Sequence, residues 1–183
     1  MPVESRARHY AELRRECASV LAGIDDPVAV MATVACLIFH SVAGASFTGF
    51  YRVVAPGRLR IGPYQGPLGC LEIPFDRGVC GAAARTGRSQ VVADVHAFPG
   101  HIACDAGARS EIVVPYLDER GEVAGVLDLD SHRPANFDDL DRRGLEAILL
   151  DLGPRLVEPR PGAATNRVGP ADRARRTPDR SAG

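Results

Sequence analysis

The chain has 183 residues, a length that suits one domain better than two. Its formal net charge is -1, and all 22 of its basic residues are arginines, so no global field recruits nucleic acid or a membrane surface. No stretch approaches the ~20 apolar residues of a membrane span, and the N-terminal MPVESRARHY lacks the apolar core of a secretion signal. A cytoplasmic protein is therefore expected, its five cysteines serving as thiols rather than as structural disulfides.

Residues 5–22 predict a first helix, because Tyr10, Leu13, Cys17, Val20 and Leu21 recur near helical spacing. A second begins at Asp26-Pro27, an N-cap followed by proline at the first helical position, and runs through MATVACLIFHSV. It is apolar on most sides and should be buried. Residues 47–54 and 59–66 read as a strand hairpin, and GVCGAAARTG as a short helix closed by Gly87. A strand is expected over 89–95 and a loop over 96–110. A second hairpin follows, 111–118 and 122–130, turning at Glu119-Arg120-Gly121. Asn136 is positioned to cap a last helix, 137–152, with Phe137, Leu140, Leu145, Ile148 and Leu149 as its apolar face. Residues 154–183 hold five prolines and seven arginines but almost no large apolar side chains. Such a tail cannot offset its ordering entropy and is expected to be disordered, which leaves a folded domain of residues 1–153. The expected class is α+β: an antiparallel sheet of about six strands with helices on one face and a ligand pocket on the other.

Chemistry concentrates in three cysteines. Cys17 and Cys36 occupy apolar positions on helices and read as small core residues. Cys70, Cys80 and Cys104 instead lie in the glycine- and turn-rich stretches GPLGC, GVCG and GHIACD, where the backbone can turn tightly and a ligand can approach. Zinc binding is one option, with His96, His101, Cys70, Cys80 and Cys104 as possible donors, but CxxC and HxxxH are both missing. Redox chemistry suits the set better: one thiol becomes a sulfenic acid and another resolves it as a disulfide. Glu111 opens a strand, and Asp128 and Asp130 in VLDLDS share one face of the next by period-two alternation. Carboxylates grouped at a pocket attract an ammonium group, or hold a proton if burial raises a pKa.

The segments GFY (49–51), IGPYQG (61–66), RGVCGAA (77–83), DVHAFPGHIACDA (94–106), SEIVVP (110–115) and GVLDLDS (125–131) together resemble the free methionine-(R)-sulfoxide reductases, enzymes built on a GAF-type domain. The likeness spans roughly residues 8–152. It implies Cys104 as nucleophile, Cys70 as its disulfide partner and Cys80 as a third pocket cysteine. It implies Glu111, Asp128 and Asp130 as substrate-site acids, with Phe47 and Tyr51 as further binding residues. It also implies a GAF-like sheet, a homodimer and regeneration by thioredoxin, with no bound cofactor or metal. Phe47 stands where the family usually carries tryptophan, and Tyr64 where phenylalanine is common.

A sulfoxide needs a thiolate at sulfur and a proton at oxygen, so one site must supply both nucleophile and acid. Carboxylates near Cys104 disfavour its thiolate, so the thiol is expected to be sluggish until substrate arrives. The substrate ammonium would pair with the acids, and backbone N–H groups at the start of the GVCGAA helix are candidates for its carboxylate. His101 is expected to orient its loop and His96 to be structural. The alternative reading is a non-catalytic GAF-type module that senses a small ligand or redox state, and it predicts an attached output domain.

Overall fold

The computed structural model describes residues 3–100 and 104–157. Its elements run α1 (Val3–Val20), α2 (Pro27–Ser41), β1 (Phe47–Ala55), β2 (Arg58–Gln65), β3 (Glu72–Pro74), α3 (Gly78–Thr86), β4 (Gln90–Val92), β5 (Ser110–Leu117), β6 (Val123–Ser131) and α4 (Asp139–Leu152). The six strands form one sheet in the order β3-β2-β1-β6-β5-β4, with every neighbouring pair antiparallel. The class is α+β, as the alternation of patterns predicts.

Alternation along each strand divides the interior into two cores. On one face Phe50, Ile112, Val114, Tyr116, Leu127 and Leu129 meet α1, α2 and α4. On the other, Phe47, Tyr51, Val113 and Val126 meet Val79, Cys80, Ala83 and Ala84 of α3. Three helices therefore share one face as expected. The short α3 crosses the opposite face and becomes a wall of the pocket. Its small residues, GVCGAAA, let it approach the sheet closely enough to do so.

Helix ends follow local chemistry. Asp26 caps α2 by accepting from the Ala29 N–H at 2.7 Å, with Pro27 at the first position. Gly87 ends α3 with φ 63, a left-handed conformation that glycine adopts freely. The last helix starts later than expected, because Asp138 and not Asn136 is its cap. Asp138 accepts from Leu140 N–H at 2.8 Å, and Asp141 returns a bond from Asp138 N–H at 2.8 Å, a closed capping box. Asn136 instead donates from Nδ2 to the Ala43 carbonyl at 3.0 Å, pinning the approach to α4 onto the end of α2.

Two further boundaries differ. The strand expected over 89–95 shortens to Gln90–Val92, because Asp94 accepts from His96 N–H at 3.1 Å and turns the chain into a 3-10 turn over Val95–Ala97. At the other end, a 3-10 turn over Gly153–Leu156 follows α4 and buries Leu156 in the helical core, so ordered chain continues past 153. The remainder of the tail, 158–183, lies outside the described residues. Among the described residues, no helix is long and apolar enough to cross a membrane.

Candidate active site

The strand register builds the site. In β6, Asp130 sits between Phe47 of β1 and Glu111 of β5, and Asp128 sits between Gly49 of β1 and Val113 of β5. Period-two alternation turns Phe47, Gly49, Tyr51, Glu111, Asp128 and Asp130 to the same face of the sheet. Gly49 is needed in this grid: a Cβ there would lie 2.6 Å from Cζ of Phe47 and 2.8 Å from Cβ of Tyr64. Those two rings stack, with centroids 5.6 Å apart, so Tyr64 braces the buried Phe47 from the neighbouring strand.

The cavity over this face has a volume of about 30 Å3. Phe47, Tyr51, Cys80, Cys104, Glu111, Asp128 and Asp130, all singled out in the sequence, line it. Cys70 joins them through a covalent bond. Cys70 and Cys104 form a disulfide with their Cα atoms 5.3 Å apart, while Cys17, Cys36 and Cys80 are free thiols. The two bonded cysteines come from separate loops, before β3 and before β5. It is the pair the family resemblance implies, and the bond takes up two of the five suggested zinc donors. His96 lies in the 3-10 turn and does not line the cavity. His101 lies outside the described residues.

Electrostatically the cavity is one-sided. Among the described lining residues there is no arginine or histidine to balance three carboxyls. Burial pushes the Glu111 carboxyl well above its usual range, and the charges of Asp128 and Asp130 add to the effect. Burial and Asp130 do the same to Asp128. Burial, reinforced by Asp105, moves Asp130 up to about 7. The Cys80 thiol, 3.9 Å from Glu111 Oε1, is raised by burial and by Asp128, Glu111 and Asp130. Burial likewise raises the Tyr51 hydroxyl and keeps it neutral. One atom stands out: Asp128 Oδ1 is buried and has no hydrogen-bond partner. A buried carboxylate oxygen without a donor is costly, so this oxygen is placed to accept from a cationic or hydrogen-donating group.

One contributor was not foreseen. His132, just past β6, pairs with Asp105 through Nε2 and Oδ2 at 2.8 Å, and Asp105 Oδ1 accepts from Gly107 N–H at 2.8 Å. Together with Arg109 N–H to the Ser131 carbonyl at 2.8 Å, these bonds tie the backbone just after Cys104 to the end of β6. Positions 105 and 132 are distant in sequence and form no motif, so only the β5–β6 register brings them together.

The comparisons with known proteins follow the same geometry. The GAF domain family matches residues 26–154. The free methionine-R-sulfoxide reductase of Escherichia coli is 38% identical over 148 residues, covering 81% of this chain and 88% of that protein. The chain belongs to the GAF-type free methionine-(R)-sulfoxide reductase family. Two solved relatives agree. The Neisseria meningitidis free methionine-R-sulfoxide reductase, solved with its substrate, is 42% identical with a TM-score of 0.78, covering 82% of this chain and 89% of that one. The reduced form of Staphylococcus aureus fRMsr is 39% identical with a TM-score of 0.76, covering 81% and 95%.

Proposed function

We propose that this protein reduces free L-methionine-(R)-S-oxide to methionine, with Cys104 as nucleophile, Cys70 as resolving thiol and thioredoxin as the external dithiol. The observation that carries the reading is the Cys70–Cys104 bond at a cavity walled by Glu111, Asp128 and Asp130. Cys104 sulfur attacks the sulfoxide sulfur while the oxygen takes a proton from a carboxyl whose pKa burial has raised. The protonated oxygen then passes to the Cys104 sulfur as the S–O bond and the transient S–S bond break, so the substrate sulfur takes up two electrons and leaves as methionine, and Cys104 is left as a sulfenic acid. Cys70 then attacks that sulfur, water leaves, and the disulfide forms. A dithiol returns both cysteines to thiols. Cys80 stays within the cavity as a proton donor to Glu111.

Selectivity for the free amino acid follows from charge. The substrate ammonium pairs with the acid cluster, including the unpartnered Asp128 Oδ1. A peptide nitrogen brings no charge and leaves that oxygen unpaired, a difference of several kcal/mol. The substrate carboxylate is met by backbone N–H groups of α3, whose Val79 and Cys80 reach the cavity. Phe47 and Tyr51 enclose the methyl and the side-chain carbons.

A cavity of about 30 Å3 holds little more than a water or two. The sulfoxide therefore enters only after the disulfide is reduced, and methionine leaves as it forms, a two-stage cycle. Continual re-reduction suits the cytoplasm, and the working unit is proposed to be a homodimer. The test is an assay on both epimers of free methionine sulfoxide with thioredoxin recycling. The R epimer should turn over, the S epimer should not, and Cys104→Ser should lose at least 1,000-fold, the scale of removing a covalent nucleophile. Wild-type inactivity on the R epimer would favour the sensor reading.

A further inference from the structure

The side chains of Cys80, Glu111 and Asp128 each bring one ligand atom into a group whose members all lie within 4.8 Å of one another. They come from three elements: α3, β5 and β6. All three are buried, at 3%, 6% and 5% exposure. The Cys80 Sγ–Glu111 Oε1 separation is 3.9 Å, against about 3.5 Å for a thiolate sulfur and a carboxylate oxygen on one tetrahedral ion. A second, independent observation points to a ligand. Asp128 Oδ1 is buried at the cavity with no partner, an acceptor placed to take a donor or a cation.

We propose that Cys80, Glu111 and Asp128 form a binding site for a thiophilic divalent cation of zinc's size, which shuts the enzyme off by occupying the ammonium subsite. One sulfur and two carboxylate oxygens match the donor preferences of Zn2+ and exclude Mg2+ and Ca2+, which demand oxygen alone. Three protein ligands leave a fourth position for water. A cavity of about 30 Å3 has room for an ion carrying one water. The ion therefore binds even while Cys70 and Cys104 are bonded to each other. This donor set differs from the His96, His101, Cys70, Cys80 and Cys104 set suggested by sequence, sharing only Cys80.

Binding must displace protons. The titratable groups that face the ion are Cys80 from α3, Tyr51 from β1, Glu111 from β5, Asp128 and Asp130 from β6, and Asp105 beyond Cys104. The site itself stands on geometry alone. Its consequence, inhibition competitive with the sulfoxide, rests on the proposed function.

The experiment is a Co2+ titration of the full-length, disulfide-bonded protein, read by thiolate-to-cobalt charge-transfer absorption. The expected result is a one-thiolate band that Zn2+ abolishes by displacement. It should disappear in Cys80→Ser, weaken at least tenfold in affinity in Glu111→Gln, and persist in Cys17→Ser and Cys36→Ser. Zn2+ should displace the cobalt at one equivalent per chain, a readout that does not depend on any variant folding. No band at millimolar Co2+, or a band retained in Cys80→Ser, overturns the proposal. Turnover of the sulfoxide is measured separately on metal-free wild type. A normal cobalt band with no turnover sinks the functional reading and leaves the site standing, whereas normal turnover with no band does the reverse.

Discussion

Asp130 concentrates the chemistry of the cavity in one side chain. Its pKa moves from the ordinary 3.8 up to about 7, mainly through burial. Between those values the folded state holds a proton that the unfolded chain has lost. Stability therefore falls as pH rises through this window, by up to about 1.4 kcal/mol per pH unit, and the penalty is complete above it. Replacing Asp130 by Asn removes the penalty, so thermal melts should show Asp130→Asn gaining on wild type more above about pH 7 than near pH 3, where the Asp130 carboxyl is protonated in the folded chain and largely so in the unfolded one. An equal difference at both ends would contradict the assignment. The same charge bears on Cys104, since an ionised neighbour disfavours a thiolate. In the reduced, empty enzyme, Asp130→Asn should speed alkylation of Cys104 by a small neutral reagent at neutral pH, as followed by peptide mass mapping. Much of this was legible in the sequence: residue types and their surroundings singled out the three acids and the three loop cysteines, and the family resemblance added Phe47 and Tyr51. The Asp105–His132 pair was not, because a contact between the ends of two loops leaves no local pattern.

At the level of elements, the strand alternation in β1, β5 and β6 does most to assemble the cavity. Gly49→Ala pushes a Cβ into the Phe47 ring and tests whether that alternation is packed tightly. A loss of about 1–3 kcal/mol in denaturant unfolding is expected, together with a higher KM as Phe47 shifts. Helix α4 offers a separate test far from the chemistry. Asp138→Ala opens the capping box and should cost about 0.5–2 kcal/mol with turnover unchanged. Asn136 was the natural cap by residue type, but its side chain is drawn to the Ala43 carbonyl, so tertiary packing decided between two equally good capping residues. Likewise, SQVVADV reads as a continuous strand, yet Asp94 satisfies a backbone donor locally and ends it. In both cases side-chain bonds to the backbone overrode a correct hydrophobic pattern.

Across the whole molecule, the helical core and the cavity lie on opposite faces of one sheet. Redox change at the cavity can therefore proceed while α1, α2 and α4 stay packed. The disulfide still matters to global stability, because it closes a separation of 34 residues spanning β3, α3 and β4. Loop-closure entropy for that length is about 4 kcal/mol at most. Thermal melts should accordingly show a lower midpoint with excess dithiol, and Cys70→Ser/Cys104→Ser should be indifferent to the dithiol. The most direct test is a single turnover of the fully reduced protein with one equivalent of free methionine-(R)-sulfoxide and no recycling system. The account predicts one methionine formed and two of the five thiols lost, mapping to Cys70 and Cys104, with Cys17, Cys36 and Cys80 still free. Methionine formed without loss of those two thiols, or loss of a different pair, would contradict it.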